Sequence, residues 1–181
     1  TGHILAPQMP NAETFLTTLA NFAIHLAPAR AAEQHSYQHD EPKESITDLP
    51  QNVAALDELR GLIDDKTGLI RSYDEPGNNS AWTYNQAVAI ITFLRAGDEE
   101  SAEQIFEAML ALQEKDGAWI DGYYANTGRK MSGADGRHKT VARNAWMLLA
   151  LVEYYSQTGD ERALESARKV ADWLLEYQDL D

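Results

Sequence analysis

Chemistry in this chain would have to come from carboxylates and aromatic rings, because there is no cysteine. There is also no G-x-S-x-G elbow, glycine-rich phosphate loop or P-loop lysine. Asp121 stands between Trp119 and the pair Tyr123-Tyr124. Rings on both sides would desolvate its carboxyl group and offer a surface on which a sugar can stack. Asp74 and Glu75 are adjacent acids in a loop that leads into Trp82. Glycoside hydrolysis takes two carboxyl groups across the scissile bond, about 5–5.5 Å apart for retention or 6.5–9.5 Å for inversion. One of them must stay protonated at working pH, which burial or a neighbouring acid achieves. Asp121 is therefore the leading candidate for general acid or base, with Asp74 and Glu75 behind it. The plainer alternative is that Asp116 and Asp121 cap turns around glycines while Asp74 and Glu75 are solvated.

Rings carry the stronger collective signal. Trp82, Tyr84, Trp119, Tyr123, Tyr124 and Trp146 fall at helix starts or in long loops. Tyr and Trp present a flat apolar face with a polar edge, which suits a sugar ring. Trp82 and Trp146 occupy matching places in an internal repeat, so core packing between hairpins is the better expectation for those two. Arg143 and Asn144 open a helix after a long polar loop. Arg143 is suited to hold a carboxylate, whether a substrate uronate, a catalytic acid or a nearby Asp or Glu, the last being preferred. The segment Gly128–Gly136, with Arg129, Lys130, Arg137 and His138, reads as a basic loop able to lie over a groove as a flap. His35 and His39 stand four apart beside Asp40 and Glu41, a metal-ligand spacing if helical. Their surroundings read as loop and no further ligand is evident, so neither a metal nor a cofactor is expected.

The elements that must position these groups are helices. Apolar residues recur at helical spacing in 12–27, again at Val53, Leu56, Leu59, Leu62 and Ile63, and in four later runs. The apolar run within residues 15–32 reads as an amphipathic helix rather than a targeting signal, because it lacks a basic flank and is interrupted by His25. Residues 29–50, with Pro42 and Pro50, read as a polar linker, which divides the chain into 1–50 and a helical domain over 51–181. Leu69–Tyr73 is short and partly strand-like. A helix from Trp82 ends at Gly97, Asp98 caps the next, and that one runs to Gln113. After a long loop from about Asp116 to Lys139, a helix over 141–158 ends at Gly159, and Asp160 caps the last. A helix–Gly-Asp–helix unit thus occurs twice, 62–65 residues apart, the pattern of an array of helical hairpins.

Composition narrows the partners. Of 181 residues, 29 are acidic and 15 basic, a formal net charge of -14. Such a surface repels phosphate backbones and anionic lipid, so nucleic acid and membranes are poor partners. No apolar run approaches the roughly 20 residues that a membrane span takes. The lack of cysteine excludes disulfides and is compatible with a periplasmic or secreted setting, slightly favoured here, as well as a cytoplasmic one.

The run Trp82-Thr83-Tyr84-Asn85-Gln86-Ala87, the Gly97-Asp98 corner, Gln113–Trp119 and Asp121-Gly122-Tyr123-Tyr124 resemble the six-hairpin glycosidase toroids. So do Arg143-Asn144-Ala145-Trp146, Thr158-Gly159-Asp160 and Ala171-Asp172-Trp173-Leu174. The resemblance covers about residues 51–181 and implies an all-α, (α/α) toroid-like fold. Loops at one end of such a barrel bind an oligosaccharide or polysaccharide, with paired carboxylates for hydrolysis or lyase chemistry. Q-x-x-D-G-x-W also occurs in terpene cyclase and prenyltransferase toroids, but the acidic loops here argue against an isoprenoid groove. A full toroid has about twelve helices and this chain shows about six, with Gln178-Asp179-Leu180-Asp181 reading as the start of another loop. The expectation is an incomplete barrel, completed by the rest of the toroid or a second copy. The rival expectation is a non-catalytic helical-repeat module that binds a protein partner.

Overall fold

A computed structural model describes residues 50–176, with side chains placed from residue 53 onward. The helix expected over 12–27, the linker, the His35–His39 pair and Gln178–Asp181 lie outside the described residues. The described chain is mostly helical: α1 (Pro50–Arg60), α2 (Thr83–Ala96), α3 (Glu99–Leu112), the single turn α4 (Ala134–Arg137), α5 (Val141–Thr158) and α6 (Glu161–Glu176). Two three-residue strands, β1 (Ser80–Trp82) and β2 (Gly122–Tyr124), form a ribbon that helical periodicity does not announce.

The Gly-Asp corners end and restart helices as their sequence requires. Gly97 takes φ 76°, and its N–H donates to Leu94 O at 3.1 Å while the Asp98 N–H reaches Phe93 O at 2.9 Å. The Asp98 carboxylate then accepts from the Ser101 N–H at 3.2 Å, capping α3. Gly159 has a similar φ of 72° but closes α5 differently, its N–H donating to Tyr155 O at 2.8 Å, and Asp160 accepts from the Arg162 N–H at 2.9 Å.

Each corner folds a hairpin, α2 on α3 and α5 on α6, and the two hairpins meet chiefly through α2 and α5. Their starts lie together: Asp121 receives the Thr140 N–H just before α5, and its own carbonyl receives the Thr83 N–H of α2. Thirteen residues along each helix, Arg95 makes a bidentate pair with Glu153 at 2.8 and 3.0 Å. The two helices therefore run parallel. Phe93 of α2, Ile105, Phe106 and Met109 of α3, and Met147 and Leu151 of α5 belong to one buried apolar cluster, and Phe106 stacks on Tyr154 with centroids 4.2 Å apart. This burial of large apolar side chains is the main force joining the hairpins.

The repeat goes deeper than the corners. Gly68 and Gly117 both adopt positive φ, 74° and 89°, and each presses on the outer helix of its own hairpin. A Cβ at Gly68 would sit 2.6 Å from the Gln104 carbonyl oxygen, and one at Gly117 would overlap the Lys169 carbonyl. Two residues after each glycine, one backbone unit is gripped by a buried amide. Gln86 accepts from the Ile70 N–H at 2.9 Å and donates to its C=O at 2.8 Å. Asn144 does the same to Trp119, at 2.8 and 3.0 Å. Gln86 and Asn144 are thus equivalent, and this corrects the expected match of Trp82 with Trp146. Trp82 sits just before α2, where its equivalent is Thr140, whereas Trp146 lies in the second turn of α5.

Candidate functional site

The two loops that carry the aromatic and acidic residues come out at one end of the hairpins and pair with each other. β1 and β2 are antiparallel, with Ser80 opposite Tyr124, Ala81 opposite Tyr123 and Trp82 opposite Gly122. The segment after β2 adds a third layer, the Tyr124 N–H donating to Arg129 O at 2.8 Å and the Met131 N–H to Gly122 O at 3.0 Å. Gly122 makes this closeness possible: a Cβ there would lie 2.6 Å from Met131 Sδ and 2.9 Å from the Trp82 ring.

Asp121 is almost wholly buried and fully engaged. Its Oδ1 accepts from the Thr140 N–H at 3.0 Å and the Thr140 hydroxyl at 2.9 Å, and its Oδ2 pairs with Arg143 Nη1 at 2.9 Å. Its backbone is used as well, the N–H donating to His138 O at 2.6 Å. The anion lies at the N-terminus of α5, where the helix dipole favours it. Ser72 holds the equivalent place in the first unit, its Oγ accepting from the Trp82 N–H at 2.8 Å. A hydroxyl suffices there, so the clamp on the following helix is a structural duty common to both units. The second unit adds the ion pair, and with it Arg143, whose guanidinium lies over the Trp82 ring at 4.9 Å from its centroid.

Beside this stack are the two most accessible candidate rings. Tyr84 and Trp146 are each 40% exposed and meet edge to face, with centroids 5.4 Å apart. Trp82, Tyr84, Arg143 and Trp146 therefore form one surface built on the N-terminal turns of two parallel helices.

The remaining candidates fall elsewhere. Trp119 is 0% exposed, its indole N–H donating to Met109 O at 2.7 Å, so its ring belongs to the core. Tyr123 is also buried, and burial followed by the charge of Glu114 pushes its phenol well above the ordinary range. Asn144 spends its amide on Trp119 and Thr140. Tyr124 is half-buried and lines a cleft with Arg129. Asp74, with 85% of its side chain exposed, lies 3.8 Å from Arg71, and the exposed Glu75 receives the Asn78 amide at 3.3 Å. Both acids stand in a solvated loop, whereas Asp121 is buried behind Arg143. Among the described residues no group of three or more His, Asp or Glu side chains is gathered closely enough to hold a metal ion.

Sequence reasoning did not single out Ser72, Thr140 or Gln86, the residues that fix the ends of the two inner helices. The amide pair had a signal, an Asn or Gln as the fourth residue of each helix, but it emerges only once the glycines are aligned. No protein family, curated protein or solved structure matches the chain.

Proposed function

We propose that this helical-hairpin domain, arranged as part of an (α/α) toroid, binds an oligosaccharide or polysaccharide on the surface formed by Trp82, Tyr84, Arg143 and Trp146. The observation that carries the reading is the pair of 40% exposed rings, Tyr84 and Trp146, fixed edge to face beside an arginine. Large rings left open to water at the loop end of parallel helices give a sugar its stacking face, and the guanidinium gives its hydroxyls a donor. Hydrolysis would need a second carboxylate facing Asp121. With Asp121 occupied by Thr140 and Arg143, and with Asp74 and Glu75 solvated, binding is the role these residues support.

A second reading has its own observation. Val141 and Leu149 are 47% and 46% exposed on the same helix as Trp146, an apolar stripe of the kind a protein partner covers. Trp146→Ala and Tyr84→Ala separate the two. Under the saccharide reading each lowers affinity for neutral tetrasaccharides about three- to tenfold in calorimetry, with helicity unchanged. No saccharide binding by the unaltered protein, together with self-association lost in Leu149→Lys, would favour the second reading instead.

A further inference from the structure

The protein carries a formal charge of -14, yet residues 129–139 hold Arg129, Lys130, Arg137 and Lys139 against the single acid Asp135. The fold makes this stretch the wall of a cleft of about 610 Å³, whose charged lining is Glu114, Lys130, Arg137 and Lys139, with His138 beside them. A second cleft of about 360 Å³ shares Lys130 and Ser132 with it and adds Arg129 and the ring of Tyr124. Lys130 and Lys139 both reach Glu114, and Lys139 also reaches Asp116, so those two cations are answered by two acids. Arg129 and Arg137 have no ion pair among the described residues. Each cleft therefore has a guanidinium in excess, on a protein of formal net charge -14.

We propose that the two clefts together form an anion-binding subsite for the carboxylates of a uronic-acid saccharide whose chain continues onto the aromatic surface. This rests on the saccharide-binding reading and names the class of sugar. A planar guanidinium matches a carboxylate with two parallel hydrogen bonds, which a lysine does not. Tyr124 supplies a ring at the same cleft, the combination a charged sugar uses and an inorganic anion does not. The walls are held in place by Tyr124 N–H to Arg129 O, Met131 N–H to Gly122 O and Asp121 N–H to His138 O. The subsite also adjoins the aromatic surface, since Met131 of the larger cleft and the Trp82 ring both crowd Gly122.

The test is calorimetry on the full chain with uronic-acid tetrasaccharides and their carboxyl-reduced, neutral counterparts. Acidic forms are expected to bind about tenfold more tightly at low salt, an advantage that shrinks as salt rises. The double variant Arg129→Gln/Arg137→Gln should lose that advantage and keep the neutral affinity. Arg168→Gln, which removes an exposed cation from α6, should change neither. Equal affinity for both forms, or a preference that survives the double variant, overturns the subsite while the aromatic surface stands. Inorganic phosphate binding as tightly as the acidic saccharides overturns the uronate assignment. No saccharide binding of either kind defeats the aromatic surface first, and the subsite with it.

Discussion

Asp121 accepts from Thr140 and forms an ion pair with Arg143 while its backbone ties together the starts of α2 and α5, so its replacement acts first on stability. Asp121→Ala leaves the Thr140 N–H without its acceptor and the Arg143 charge without its counter-ion, and is expected to cost about 2–4 kcal/mol in urea unfolding, at the low side of a buried pair because Arg143 is 32% exposed. Asp121→Ser restores the acceptor that Ser72 supplies in the first unit and should recover part of that loss. Equal damage from both would mean that the helix clamp contributes nothing. Sequence alone marked Asp121 and Arg143 and preferred a protein carboxylate as the partner of Arg143. It did not show that the carboxylate is Asp121, because a contact across 22 residues of irregular chain leaves no periodic trace. Exposure of Asp74 and Glu75 was equally illegible, since in a loop no spacing distinguishes a solvated acid from one turned inward.

Glycines separate strain from crowding among the turns. Gly97→Ala meets open space and pays only for its left-handed φ, about 1 kcal/mol. Gly117→Ala has the same φ problem and drives its Cβ into the Lys169 backbone, so a loss of about 3 kcal/mol or more is expected. Thermal unfolding should rank them in that order, and equal shifts would contradict the docking of the turn on α6. Helix ends were readable here because Gly-Asp supplies both a left-handed stop and a cap. Strands β1 and β2 were not, since three residues are too few for a period. Alignment of the two units failed for a related reason. Gly68 and Gln86 are 18 apart but Gly117 and Asn144 are 27 apart, so the basic loop inserts nine residues. Helix α5 is then four residues longer than α2, 18 against 14. The two tryptophans therefore look equivalent only while the insertion goes unnoticed.

Charge governs the behaviour of the molecule as a whole. Asp98, Glu114 and Asp116 are partly buried, which alone would raise them. Hydrogen bonds from Arg60 and Ser101 to the first, from Lys130 and Lys139 to the second, and from Lys139 and the Ala118 N–H to the third outweigh this and hold all three below their ordinary range. The folded protein therefore binds these protons more weakly than the unfolded chain. Their stabilisation is complete above the ordinary values of 3.8 and 4.5, and it is lost as pH falls through the lower folded values. Tyrosines act in the opposite direction. Burial, then the charge of Glu103, pushes Tyr154 up to about 12, and Tyr123 is raised too, so stability falls as pH climbs from 10.0 through the folded values. Urea midpoints should accordingly drop below about pH 4 and above about pH 10.

Acidic composition makes nucleic acid a poor partner to expect from the sequence, and the structure adds that Arg129 and Arg137, neither with an ion pair among the described residues, line the clefts beside the aromatic surface. The four indole N–H signals of the full chain test the saccharide surface most directly, because two rings lie at it and two are buried. Titration with neutral and uronic-acid tetrasaccharides should move the signals of Trp82 and Trp146 along one binding curve while those of Trp119 and Trp173 stay in place. Signals that do not move, or four that move together, would contradict it.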